Sequence, residues 1–241
     1  MPTASGPPSS AELISGVGFR MIDEIERVPA ELVRELGAFP TPDISDQMNR
    51  LYAMNSSIRP FCDPQLRLVG PACTVKVFPG DNLMVHKSLD IARPGDVVVV
   101  DASSSTTNAV LGDTISMKAR HRGIAGFVID GLVRDVPAIR ELGDFPVFAR
   151  GITPIGPLHR GPGEINFPIS VGGIVVNPGD LIVADECGVV VVPRDSVASV
   201  LESLRARSAA NEKYMAKVAD GEFSNAWVDG ILERDGVTAG H

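Results

Sequence analysis

Val97-Val98-Val99-Val100-Asp101, followed by Ala125-Gly126-Phe127-Val128-Ile129-Asp130, decides the fold, because a helical segment from Asn108 to Arg122 lies between the two apolar runs and another from Val136 to Leu142 follows them. Apolar runs of strand length alternating with helices favour parallel pairing, so the chain is of the α/β class. Upstream, Leu83 to Ala92 reads as a helix. From Leu68 to Val77, Cys73, Val75 and Val77 alternate with Thr74 and Lys76, which predicts a strand with one wet face. Two short helices precede it, Glu31 to Leu36 and Ile44 to Leu51, the second after Thr41-Pro42, a cap and a first-turn proline. Downstream, Val147 to Ala149, Ile165 to Val171, Gly173 to Val176, Leu181 to Ala184 and Gly188 to Val192 are short strands punctuated by Gly and Pro, which predicts a β-rich lobe. Arg93-Pro-Gly-Asp96 and Asn177-Pro-Gly-Asp180 each turn into an apolar strand ending in Asp, at Asp101 and Asp185; two distant copies are recurrent turn chemistry, not a solenoid. From Ser196 to about Gly221, Val197, Val200, Leu201, Leu204, Tyr214 and Val218 space out one long amphipathic helix, and the tail beyond reads as loose or engaged in subunit contacts.

The 241 residues are 44% hydrophobic and 22% charged, enough apolar material for a packed core. Thirty Asp and Glu against 22 Lys and Arg give a net charge of -8, which argues against a polyanion-binding surface, so no nucleic-acid ligand is expected. Cys62, Cys73 and Cys187 have neither disulfide-framework nor zinc-knuckle spacing, which fits a reducing cytoplasm. No apolar run nears the roughly 20 residues of a membrane span. Met1 to Ser10 lacks the pattern of a signal peptide and reads as a disordered leader. The expected organisation is a leader and helix over 1–40, one domain over 41–221 and a tail over 222–241.

Chemistry is expected where the second apolar strand runs into Asp130-Gly131-Leu132-Val133-Arg134-Asp135, since ligands collect at strand ends in parallel sheets. The planar fork of Arg134 matches a carboxylate, and Asp135 offers hard oxygens suited to Mg2+ or Mn2+. The plain alternative is that Asp135 caps the helix and Arg134 is solvated. Asp101 to Asp113 leaves the first strand through small polar residues and could present backbone amides to an anion, with Asp113 facing the same crevice or merely favouring the helix dipole.

Ser45-Asp46, Gly70-Pro-Ala-Cys-Thr74, Pro79-Gly-Asp-Asn82, Pro94-Gly-Asp96, Leu111-Gly-Asp113, Asp130-Gly-Leu-Val-Arg-Asp135, Pro146-Val-Phe-Ala149 and Pro178-Gly-Asp180 through Asp185-Glu-Cys-Gly-Val189 occur in one order. In that ordered set the chain resembles the divalent-metal aldolases of 4-hydroxy-4-methyl-2-oxoglutarate and 4-carboxy-4-hydroxy-2-oxoadipate, relatives of the ribonuclease E activity regulators. The resemblance implies a β/β/α swivelling fold, like that of phosphohistidine domains, with N-terminal helices and a long C-terminal helix. It implies homotrimers or homohexamers with sites between subunits, and a place in aromatic catabolism. It also implies that Arg134 binds the substrate carboxylate and stabilises the reacting oxygens, that Asp135 ligates the metal and that Asp113 positions water for proton transfer. The backbone of Gly112, Asp113, Thr114 and Ile115 would cradle the pyruvyl carboxylate, and Glu212 is the candidate for a metal-shell carboxylate given to a neighbouring subunit. Ala102-Ser103-Ser104-Ser105 stands where the family often has glycines.

Retro-aldol cleavage of a 4-hydroxy-2-oxo acid leaves a pyruvate enolate, which a divalent cation stabilises as a Lewis acid without a Schiff-base lysine. Decarboxylation of oxaloacetate gives the same enolate and is the expected companion activity. His86, His121, His159 and His241 show no ligand spacing and read as surface or structural, with His159 able to edge the site; Cys187 reads as packing. The rival function is a protein-binding regulator of ribonuclease activity, against which stand Asp135 and the extra length at both ends. An S-adenosylmethionine-dependent methyltransferase is discounted for want of a Gly-rich loop after a first strand.

Overall fold

The structure is a computed structural model that describes residues 12–237; the predicted leader Met1 to Ser10 and His241 lie outside them. It forms two compact units, one up to Leu201 and one from Glu202. In the first, the strands are β1 (Phe19–Met21), β2 (Arg59–Pro60), β3 (Leu68–Val77), β4 (Val97–Asp101), β5 (Ala109–Leu111), β6 (Gly126–Val133), β7 (Val147–Ile152), β8 (Gly163–Ile165), β9 (Ile169–Val171), β10 (Ile174–Val176), β11 (Leu181–Asp185) and β12 (Gly188–Val192). The helices are α1 (Ala30–Leu36), α2 (Thr41–Gln47), α3 (Leu83–Ile91), α4 (Asp113–His121), α5 (Val136–Glu141) and the start of α6 (Val197–Ala219). The second unit holds the rest of α6 and α7 (Ala226–Arg234), so the predicted loose tail contains a helix.

Strands β3, β4, β6 and β7 lie side by side and parallel, as the alternation of strands and helices predicts. The order runs β1-β8-β3-β4-β6-β7-β2, with β11 and β12 joined to β3 and with β5 on β6; β9 and β10 form a separate hairpin. The predicted β-rich lobe is therefore no lobe: β8 and β11 hydrogen-bond to β3 and complete one sheet.

Period-two alternation sends successive residues of the central strands to opposite layers. Val98, Val100, Phe127 and Ile129 pack with Val85, Ile115 and Ile139 on the helical side. Val97, Val99, Val128 and Phe148 pack with Ile169, Val171, Ile182 and Val191 on the β side. The predicted wet face of β3 is reduced to Lys76, which is exposed, since Thr74 is fully buried and donates to Phe167 O at 2.7 Å.

Three boundaries differ from the sequence reading. Helix α4 begins at Asp113, because Ala109–Leu111 are buried and extend beside β6. The predicted strand Ile165 to Val171 divides in two at Asn166, whose φ is 61°. Helix α2 stops at Gln47, before Asn49 and Arg50 in left-handed conformations. Thr41 lies inside α2, and the cap comes from Asp185 at the end of β11, which accepts from Thr41 N at 2.9 Å and Oγ1 at 2.6 Å. The two Pro-Gly-Asp turns do share their chemistry: Asp96 accepts from Arg93 N and Asp180 from Asn177 N, each at 2.8 Å. All three cysteines are free; burial pushes the Cys73 thiol up to about 12, and Cys187 is exposed in the β11–β12 turn instead of packed.

Candidate active site

Two backbone segments meet at the carboxyl ends of β5 and β6. Arg134 N donates to Leu111 O at 3.0 Å, which sets Leu111-Gly112-Asp113 against Arg134-Asp135. Gly112 is the N-cap residue of α4, and a Cβ there would stand 2.3 Å from Asp135 Oδ2 and 2.9 Å from Arg134 Cγ. Only glycine permits this approach.

Asp135 occupies the N-cap position of α5, yet its side chain makes no capping hydrogen bond. Its backbone is left-handed, φ 55° and ψ 35°, and its Oδ2 lies 3.1 Å from Arg134 Nε. Both side chains are more than two-fifths exposed, so their pairing adds little stability. The capping alternative for Asp135 is thereby removed. Arg134 extends over Gly156, where a Cβ would meet Nη1 at 2.6 Å. Asn108 holds that glycine, donating from Nδ2 to Gly156 O at 2.7 Å.

A cavity of about 350 Å3 opens here. One wall is Leu111 to Ile115 with Arg134, so the structure brings together Arg134 and all four residues of the predicted carboxylate cradle. Asp135 adjoins this wall through its contact with Gly112. Asp113, the first residue of α4, accepts from Thr114 N at 2.6 Å. Glu212 lies in the separate C-terminal unit, where Ser208 Oγ stands 3.3 Å from its Oε1.

The other walls carry His159, which the sequence reading placed at the edge of the site, and residues it missed: Asn82 and His86 from the start of α3, and Gly156 and Pro157 from the loop after β7. His86 and His159 are thus not merely peripheral. Their rings meet edge to face with centroids 5.3 Å apart. Burial foremost, then the neighbouring His159 and Lys118, hold the His86 imidazole below its usual range. The Asn82 motif was legible in sequence; the histidine pairing joins segments far apart and left no local signal.

Asp130, just before the site, sits 4% exposed beneath the Ala102–Ser105 turn. Burial raises its carboxyl, but hydrogen bonds from Arg150, Gly172 N and Ser104 Oγ outweigh that and leave it below the ordinary carboxylate value. The same residues tie together β6, β7 and the β9–β10 hairpin under the reacting end.

The donor set constrains what cation would fit. Among the described residues no group of three or more His, Cys, Asp and Glu converges. A closed zinc site with several protein ligands is therefore not built here. One exposed carboxylate suits Mg2+ or Mn2+, hard ions that keep several waters and accept one or two carboxylates plus substrate oxygens. Among the described residues no helix is long and apolar enough to cross a membrane.

Comparison with known proteins gives this arrangement a context. Residues 41–191 match the family described as RraA-like, Aldolase/RraA. A protein of Halalkalibacterium halodurans, provisionally named 4-hydroxy-4-methyl-2-oxoglutarate aldolase, is 41% identical over 190 residues, covering 79% of this chain and 90% of the relative. The crystal structure of RraAS2 from Streptomyces coelicolor, described as an unusual member of the RNase ES inhibitor RraA protein family, superposes with a TM-score of 0.72 at 31% identity, over 80% of this chain and 99% of that one. An RNA-processing inhibitor, RraA, from Thermus thermophilis has a TM-score of 0.59 at 34% identity, over 64% of this chain and 93% of its own.

Proposed function

The chain belongs to the RraA-like (Aldolase/RraA) family, and from that premise we propose that it is a divalent-metal-dependent class II aldolase, cleaving a 4-hydroxy-2-oxo acid such as 4-hydroxy-4-methyl-2-oxoglutarate to pyruvate. The observation that carries the reading is Asp135: a residue at an N-cap that does not cap, held left-handed with its carboxylate beside Arg134 and so close to Gly112 that a Cβ there would displace it. A left-handed aspartate costs of order 1 kcal/mol, and such strain persists where function uses it.

In this reading Asp135 holds Mg2+ or Mn2+, and the cation when bound supplies Lewis-acid stabilisation of the enolate. The rest falls to the chain itself. Arg134 pairs its guanidinium with the substrate carboxylate, which the first-turn amides of α4 other than that of Thr114, already donated to Asp113 Oδ1, would also bind. Asp113, half-buried on that wall, orients the water that returns a proton to the enolate carbon. Oxaloacetate decarboxylation reaches the same enolate and follows as a second activity. We further propose the β/β/α swivelling arrangement, on the strength of one sheet face packed by helices and the other by hairpins. A cytoplasmic homotrimer or homohexamer completes the proposal, with Glu212 serving a neighbouring site; light scattering giving the mass of one chain would count against it.

The test is pyruvate release from oxaloacetate and from 4-hydroxy-4-methyl-2-oxoglutarate, with and without EDTA, by the wild type and Asp135→Ala. The wild type should be active and lose activity in EDTA, and the variant should be inactive. Equal background rates in every sample would favour the second reading, a ribonuclease regulator like the Thermus and Streptomyces relatives.

A further inference from the structure

We propose that His159 is the base that removes the C4 hydroxyl proton of the aldol substrate, acting through Nε2; this rests on the aldolase reading above. Asn82 is 1% exposed and donates from Nδ2 to Val110 O at 2.7 Å. A carbonyl only accepts, so the amide cannot be turned the other way without setting two buried acceptors against each other. Asn82 Oδ1 must then be the atom 2.6 Å from His159 Nδ1, and since it too can only accept, Nδ1 carries the proton. His159 lines the cavity, and with Nδ1 committed to Asn82 the ring's other nitrogen, Nε2, is the one that can offer a lone pair.

The ring is also fixed from behind. Leu158 N donates to Gly80 O at 2.7 Å and Asn82 N to Leu158 O at 3.0 Å, while Arg160 N donates to the buried Asp81 Oδ2. The backbone is thus pinned on both sides of His159, and the His86 ring meets it edge to face. Among the described residues no hydrogen bond orients His86, so it supports the ring but is not itself aimed.

Substrate chemistry identifies what the lone pair would meet. At neutral pH the carboxylates and the ketone of a 4-hydroxy-2-oxo acid only accept hydrogen bonds; the C4 hydroxyl is the one donor. Nε2 takes the hydroxyl proton, the C4–O bond becomes a carbonyl, and the C3–C4 bond breaks with its electron pair passing to C3 as the pyruvate enolate. Water reprotonates C3, and the imidazolium, steadied by Asn82 Oδ1, returns its proton to solvent. Oxaloacetate has no such hydroxyl, and loss of carbon dioxide needs no base at this position.

The experiment compares both reactions in the wild type, His159→Asn and His159→Gln. Asparagine places an amide near the position of Nδ1, keeping a donor for Asn82 and deleting Nε2; glutamine leaves a polar atom near Nε2 that cannot take a proton. Each variant should cut kcat for 4-hydroxy-4-methyl-2-oxoglutarate about 100-fold or more, and should lower the ratio of aldol cleavage to oxaloacetate decarboxylation at least about tenfold. A merely structural role would depress both rates together, and an equal fall, or no fall, overturns the assignment while the aldolase reading stands. A wild type that releases no pyruvate from either compound overturns both.

Discussion

Replacing Gly112 by alanine isolates the contact on which the site depends. The backbone there, φ -144° and ψ -155°, is extended and accepts alanine without strain, so the effect is steric alone. The new methyl would lie 2.3 Å from Asp135 Oδ2, and an ordinary contact needs about 3.4 Å, so the carboxylate must retreat by about 1 Å. Asp135 is on the surface and its side chain can move, so the stability cost should be about 1 kcal/mol or less. A displacement of about 1 Å in a reacting group can nevertheless cost about 100-fold in rate. Gly163→Ala is the contrasting case: its methyl would strike Lys76 O at 2.3 Å and Met84 Cγ at 2.7 Å, inside the pairing of β8 with β3. Pyruvate release coupled to NADH oxidation and scanning calorimetry should separate the two. Gly112→Ala should lose about 100-fold in kcat/KM with little change in Tm, while Gly163→Ala should lower Tm by about 5 °C or more. If Gly112→Ala keeps kcat/KM within about threefold of the wild type, the close packing of Gly112 on Asp135 has no part in catalysis.

Three other outcomes follow from the same geometry. Arg134→Lys keeps the charge but loses the planar fork that reaches over Gly156, so turnover should fall about 100-fold, measured by steady-state kinetics with folding checked by circular dichroism. Exhaustive chelation should abolish both activities, and Mg2+ or Mn2+ added back should restore them; restoration by Zn2+ alone would contradict the hard-oxygen site. Asp130 titrates below its unfolded value, so its contribution to stability is complete above about pH 4 and is lost as pH falls through the lower folded value. Asp130→Asn should therefore be less stable at pH 7, by about 3 kcal/mol, and the gap should narrow in urea titrations at pH 3.

Most of the central fold could be read directly. The runs at Val97 and Gly126 are buried on both faces, and such burial leaves an uninterrupted apolar text. On β3 the alternating pattern held for Lys76, which is exposed, and failed for Thr74, which satisfies its hydroxyl inside the protein through a bond that no local pattern announces. The short strand β5 was absorbed into a helix because three residues carry too little periodicity to oppose the Asn108–Arg122 pattern. For the site, Arg134, Asp135 and Gly112 through Ile115 sit beside a strand end or a helix start, and local sequence marks both. The approach of His159 to Asn82 depends on a loop laid against the Pro79–Asn82 turn by backbone hydrogen bonds, which any sequence could make.

The left-handed backbone at Asp135 sets heat resistance and turnover in opposition. Glycine would adopt that conformation freely, and the displaced carboxylate caps nothing. A library screened for thermal tolerance alone should therefore enrich Asp135→Gly, and on the proposed reading those survivors would lack the carboxylate that holds the cation.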